Sequence, residues 1–209
     1  MRMKKILIPA VALLTFGISH GQQLRFGAKA GVNVATITGD LQGNKALTGF
    51  HIGAIAEIKI NEKFAVQPEM LYSSQGSKSR YTEGNSISYL SIDYTHTLSY
   101  LNIPIIAKYY VVPKLSLEAG PQVGFLLSAK EKNETTLALA DGSFQYESDK
   151  YDIKEGLKSI DFGFNIGAGY DFTPTIFAQL RYNFGLSNIS DNNTTLRNSV
   201  LQASIGYKF

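Results

Sequence analysis

Eight segments of this 209-residue chain alternate apolar and polar side chains with period two, which is the pattern of strands that show different surroundings on their two faces. The alternation begins at Phe26, Ala28, Ala30, Val32 and Val34. It recurs over Phe50–Ile60, Phe64–Tyr72, Leu101–Tyr109, Leu115–Leu127, Ile160–Tyr170, Ile176–Leu186 and Leu201–Phe209. No segment beyond the first twenty residues is apolar for long enough to form a membrane-spanning helix. The connections alternate as regularly as the side chains do. Short links stand at Asn61-Glu62-Lys63, around Val112-Pro113-Lys114 and at Thr173-Pro174. Long ones span roughly Thr38–Thr48, Gly76–Ser99, Lys130–Ser159 and Ser187–Asn198. Short turns on one side and long loops on the other are the habit of transmembrane β-barrels.

Parity alone does not say which face is inside, since a soluble lipocalin-like ligand-binding barrel carries the same alternation turned around. Two features favour apolar residues facing lipid. The polar set is rich in glycine and in charges that can pair. Aromatic residues also collect in two bands. Phe26, Phe64, Tyr109, Tyr110, Tyr170, Phe172, Phe177, Tyr207 and Phe209 fall near the short turns, and Tyr72, Phe125, Phe162 and Phe184 nearer the long loops. The expected fold is therefore all-β, an eight-stranded antiparallel up-and-down transmembrane β-barrel.

Residues 1–21 read as a cleaved signal peptide, with Arg2, Lys4 and Lys5, an apolar run from Ile6 to Ile18 and a small-residue exit at Ser19-His20-Gly21. Residues 22–209 form the barrel domain. The net charge of +3 belongs to the leader, because its three bases are removed and 17 bases then face 17 acids. Zero cysteine excludes disulfides, thiolate metal sites and a thiol nucleophile. So balanced a charge gives no footprint for nucleic acid.

The inward set contains Lys29, Glu57, Glu69, Lys108, Glu118, Asp161 and Arg181. A barrel of eight strands is just wide enough for its own side chains, so these charges are expected to pair in a structural network that plugs the lumen. Only His51 and His96 remain after leader removal, too few for a three-histidine metal site, and no cofactor is expected. His96 has Ser91, Asp93 and Ser99 near it in sequence, which leaves a small outer-membrane lipid-modifying enzyme as an alternative. The leading reading is non-enzymatic.

Two long loops carry further pattern. Between Lys130 and Lys158 seven acids interleave with lysines, read as a solvated mixed-charge loop without the ligand ladder of a calcium site. Leu90, Ile92, Tyr94, Leu98 and Tyr100 are apolar on even numbers, whereas the membrane part uses odd numbers from Leu101. Such a change implies a bulge or a swap of faces. With a turn at Glu83-Gly84-Asn85-Ser86, strands three and four would protrude as a hairpin. Tyr81, Tyr89 and Tyr94 would then offer a partner-binding surface.

In its order of motifs the chain resembles the PorT-like eight-stranded outer-membrane β-barrel proteins of Bacteroidota. The stretches that carry this are Phe26-Gly27-Ala28-Lys29-Ala30-Gly31-Val32-Asn33, Gly49-Phe50-His51-Ile52-Gly53, Gln67-Pro68-Glu69-Met70-Leu71-Tyr72, Tyr100-Leu101-Asn102-Ile103-Pro104, Glu118-Ala119-Gly120-Pro121-Gln122, Arg181-Tyr182-Asn183-Phe184-Gly185-Leu186 and Gly206-Tyr207-Lys208-Phe209. The resemblance implies the cell outer membrane, contact with its lipid, and handling by barrel-insertion machinery, for which the final aromatic Phe209 looks like the signal. It also implies an envelope or secretion protein as a possible partner.

Overall fold

The computed structural model describes residues 23–40, 43–85 and 88–209. The leader assigned to residues 1–21 lies outside the described residues. Nine strands follow in order: β1 Gln23–Gly39, β2 Lys45–Lys59, β3 Phe64–Gly84, β4 Tyr89–Val112, β5 Leu115–Ala138, β6 Phe144–Asp152, β7 Ile160–Asp171, β8 Ile176–Gly185 and β9 Leu196–Lys208. All pairings are antiparallel. Each strand pairs with the next from β1 to β5, β5 then pairs with β7, and β7, β8 and β9 follow in turn. β9 closes on β1 over Gly27↔Lys208 to Gly39↔Leu196. Eight strands thus form the closed barrel, and β6 stands outside it, paired only with the upper half of β5.

The extra strand corrects the expectation of a loop between Lys130 and Ser159. Residues 130–138 continue β5, turn back at Gly142 and return as β6. Local chemistry closes this turn, since Asp141 Oδ1 accepts the backbone N–H of Ser143 at 2.9 Å. The segment's interleaved charges suggest a loop because they are spread over both faces of the hairpin, where water reaches them and leaves no polar–apolar alternation.

The orientation of the pleat is unambiguous. Phe26, Ile52, Met70, Ile105, Leu117, Phe162, Leu180 and Ile205 all face outward, and each is about half exposed. Their neighbours Lys29, Glu57, Gln67, Lys108, Glu118, Asn165, Arg181 and Gln202 are buried inside. A chain with apolar residues outward around a whole barrel needs hydrocarbon as its solvent. Among the described residues no helix is long and apolar enough to cross a membrane; the crossing is by strands. Short turns are held by side-chain caps. Asn61 Oδ1 accepts from the N–H groups of Lys63 and Phe64, and Thr173 Oγ1 from those of Thr175 and Ile176.

Two aromatics assigned to the short-turn belt point the other way. Tyr110 and Phe177 are buried, 4% and 1% exposed. Both sit one position out of phase with the lipid-facing residues beside them, Tyr109 and Ile176. Their rings point into the barrel instead of lining its outer rim.

Above the membrane the outer halves of β3, β4 and β5, with β6, make one four-stranded sheet. Pairing is continuous from Gly76↔Thr97 to Gly84↔Tyr89, from Tyr89↔Ala138 to Ser99↔Ser128, and from Lys130↔Asp152 to Ala138↔Phe144. The phase change expected in strand four resolves as a swap of faces. β4 keeps its pleat, so Leu90, Ile92, Tyr94 and Leu98 lie on the inner side with buried Asn102 and Lys108. The bulge lies opposite, on β5, where Leu127 is the extra residue between the pairs Ser99↔Ser128 and Tyr100↔Leu126.

Candidate functional site: a charged barrel interior and an external sheet

The interior is layered along the barrel axis. Nearest the short turns, Lys108 Nζ lies 2.8 Å and Lys208 Nζ 2.9 Å from Glu57 Oε2, and Lys208 also reaches Asp171 Oδ1 at 3.1 Å. Tyr110 Oη stands within hydrogen-bond distance of both Glu57 and Asp171. Phe177 lies beside the two ammonium groups, its ring centre 5.9 Å from Lys108 Nζ and 5.2 Å from Lys208 Nζ. Gly206 makes room for that ring, since a Cβ there would lie 2.2 Å from Phe177 Cζ.

The middle layer centres on Arg181. Its Nε donates to Glu118 Oε2 at 2.6 Å and its Nη1 sits 2.8 Å from Glu69 Oε1. Lys29 Nζ takes the other Glu69 oxygen at 2.7 Å, and Gln179 joins Lys29 to Glu118. Four cations (Lys29, Lys108, Arg181, Lys208) therefore meet four anions (Glu57, Glu69, Glu118, Asp171). Charges taken out of water in a low-dielectric interior are tolerable only where opposite charges meet them, although among the described residues Arg181 Nη2 has no hydrogen-bond partner.

A neutral layer follows. His51 lies between Asn33 Oδ1 and Ser204 Oγ, 2.7 Å from each, and Asn165 links Gln122 to Asn183. Toward the loops lies an apolar cluster of Ile37, Leu98, Tyr100, Leu126, Ala129 and Ile189, with Ile153, Leu157 and Leu196 packed on it.

Six of the seven inward charges expected from sequence are brought together in the two ionic layers. Asp161 is not. It is buried near the loop end, four positions along β7 from Asn165. There Ser187 Oγ donates to it at 2.6 Å and Asn198 Nδ2 at 2.8 Å, and among the described residues it has no cation. Lys208, Asp171, Tyr110 and Gln179 are members that the sequence reading missed. Lys208 and Gln179 were in the polar phase and could have been included. Asp171 sits at a strand end, where phase carries less information.

The serine and acid neighbours of His96 do not assemble with it. Ser91, Asp93 and Ser99 have odd numbers on β4 and face away from His96. Asp93 pairs with Arg80, and Tyr72 Oη donates to Ser99. His96 Nε2 is instead 2.8 Å from Glu131 Oε2. Ser77, directly across from His96, has no exposed surface, and among the described residues neither its Oγ nor His96 Nδ1 has a hydrogen-bond partner. Among the described residues no serine is hydrogen-bonded to His96. Among the described residues no group of three or more His, Asp or Glu side chains is placed to hold a metal ion.

The three tyrosines assigned to one binding surface divide between faces. Tyr81 is paired across from Ile92, and Tyr94 from Ser79 and Asn133, on the inner face. Tyr89 is paired across from Gly84 and Ala138 on the outer face, in the row that ends at Phe144. In a continuous ladder an even spacing between paired positions keeps a face, and Tyr89 is an odd number away from Tyr94.

Residues 19–191 match the family model described as the outer membrane protein beta-barrel domain. The chain belongs to that family. It is an integral protein of the outer membrane, with its barrel in the lipid. No curated protein matches the sequence significantly. Similar solved structures include Ail, the attachment invasion locus protein of Yersinia pestis, in complex with the heparin analogue sucrose octasulfate. The two share 13% identity over 90% of this chain and 99% of that one, with a TM-score of 0.43. Neisserial surface protein A is 16% identical over 88% of this chain and 97% of its own, TM-score 0.46. A de novo designed transmembrane β-barrel is 14% identical over 88% and 95%, TM-score 0.40.

Proposed function

We propose that the barrel is a closed anchor, and that the protein acts without catalysis by presenting its external sheet to an envelope partner such as a component of a secretion assembly. The observation that carries this is the free edge of β6. All nine of its residues are exposed, among the described residues it pairs on one side only, and Phe144, Tyr146 and Tyr151 stand along it. An unpaired edge of that length is a template for an extended segment of another chain. Glu147, Asp149, Lys150 and Asp152 on the same strand discourage indiscriminate pairing. The inner face beside it, with Tyr81, Leu90, Ile92, Tyr94 and Leu137, adds apolar contact area. The other side chains of the proposal are structural: the ionic layers fill the lumen, and Phe209 serves insertion of the barrel.

Photo-crosslinking in whole cells tests the reading. Probes at Tyr146, Tyr151 and Tyr94 should capture one protein of defined size that also co-purifies in mild detergent. Probes on the lipid-facing residues Met70 and Leu117 should not capture it. A monomer that crosslinks to no protein from any sheet position would overturn the proposal.

A further inference from the structure

The outer face of the external sheet carries a line of positive charge. One row of directly paired residues runs Lys45–Lys78–Thr95–Lys132–Lys150 across β2, β3, β4, β5 and β6. Residues paired this way share a face, with strands roughly 4.8 Å apart. Lys45 therefore stands directly opposite Lys78, and Lys132 directly opposite Lys150. Like charges in that position destabilise a sheet. Lys130 lies one row nearer the membrane on the same face, across from Asp152.

The acids of this face do not balance it. Asp93 is held by Arg80 at 2.5 Å, and Glu134 by Lys132 at 2.8 Å. Asp152 Oδ1 accepts the backbone N–H of Lys154. Among the described residues Lys45, Lys78, Lys130 and Lys150 form no ion pair. Six bases thus face three acids.

The location indicates what covers the row. This face continues the lipid-facing side of the barrel: outward residues on β3 run Met70, Tyr72, Ser74, Gly76, Lys78. Lys78 is six residues above Tyr72, and Lys45 five above Phe50. At about 3.3 Å per residue and about 40° of tilt, the row stands roughly 10–15 Å above the apolar belt. That is beyond the thin polar layer of a simple phospholipid, which adds roughly 5–8 Å on each side of the hydrocarbon. It matches a larger head in which phosphates are carried on sugars.

We infer that the Lys45–Lys78–Lys132–Lys150 row binds the phosphate groups of a phosphorylated glycolipid in the surrounding outer leaflet. Bound phosphates would relieve both lysine–lysine contacts and fix the sheet upright against the membrane. The inference does not depend on the inner face or the β6 edge binding a protein.

The test uses the folded protein in uncharged detergent, titrated with a bisphosphorylated diglucosamine glycolipid and with its dephosphorylated form. The parent should bind the phosphorylated form at least tenfold more tightly, and the K45Q/K78Q/K132Q/K150Q variant should lose that preference. If the fourfold variant fails to show heat-modifiable gel mobility, K78Q/K150Q, with one lysine from each pair, should lose part of it. Equal binding of both glycolipids by the parent, or an unchanged preference in the variants, overturns the inference. So does a parent that binds a soluble sulfated polysaccharide and ignores the glycolipid, because the row would then serve a ligand from outside the membrane.

Discussion

Arg181 and Glu69 hold each other inside the barrel at 2.8 Å, on strands β8 and β3 that are not neighbours in the sheet. The guanidinium also takes Glu118 from β5, so one side chain ties three separated strands across the lumen. Removing it leaves two carboxylates buried with too few cations. Arg181→Met should therefore destabilise the barrel by about 3–5 kcal/mol. The midpoint of urea unfolding in lipid vesicles, followed by heat-modifiable gel mobility, reads this. Arg181→Lys should recover only part of the loss, because a lysine cannot serve both carboxylates with a planar fork.

The ion pair of Arg80 with Asp93 is shorter, at 2.5 Å, yet both side chains are open to water. Solvent screening and side-chain entropy cancel most of such an attraction. Arg80→Ala should leave the urea midpoint within experimental error of the parent. A shift comparable to that of Arg181→Met would show that the external sheet and the barrel unfold as one strongly coupled unit.

Phe177 rests where a Cβ of residue 206 would be, so Gly206→Ala should displace the ring and loosen Lys108 and Lys208 around it. Overpacking of this kind costs about 1–3 kcal/mol. Phe177→Leu in the same chain should recover part of that loss, because a smaller side chain clears the added methyl group. If the double variant is no more stable than the sum of the single changes, the ring is not the obstacle.

Hydrogen exchange should find the external sheet ordered but uneven. Amides of β4 between Ser91 and Thr97 are flanked by β3 and β5 and should exchange slowly. Those of β6 that point away from β5 should exchange at close to open-chain rates. Proteases should cut first at the turns around Gly142 and Asn85. Rapid cleavage throughout 76–99 would contradict a stiff sheet.

The barrel was legible because lipid and lumen impose opposite chemistry on alternate residues, and that writes period two into Phe26–Val34 or Leu201–Phe209 without ambiguity. The ionic layers were legible for the same reason: Lys29, Glu69 and Arg181 interrupt apolar runs at the inward phase. Above the membrane that contrast ends. β6 has all nine residues exposed, so Phe144–Asp152 shows no alternation to read, and its strand character comes from pairing with β5. The even-numbered apolar residues of β4 signalled a change of environment but could not say whether the backbone or the chemistry had shifted. Tyr110 and Phe177 were misplaced because at a barrel rim both faces accept an aromatic ring.

Single-channel recording in planar bilayers tests most directly whether this barrel is an anchor and not a conduit. With two ionic layers and an apolar cluster stacked along its axis, the inserted protein should give no stable unitary current at 100 mV in molar salt. Arg181→Met should not open one, because Glu69, Glu118 and Gln179 still occupy the same layer. Long-lived, reproducible current steps from the unmodified protein would contradict the account.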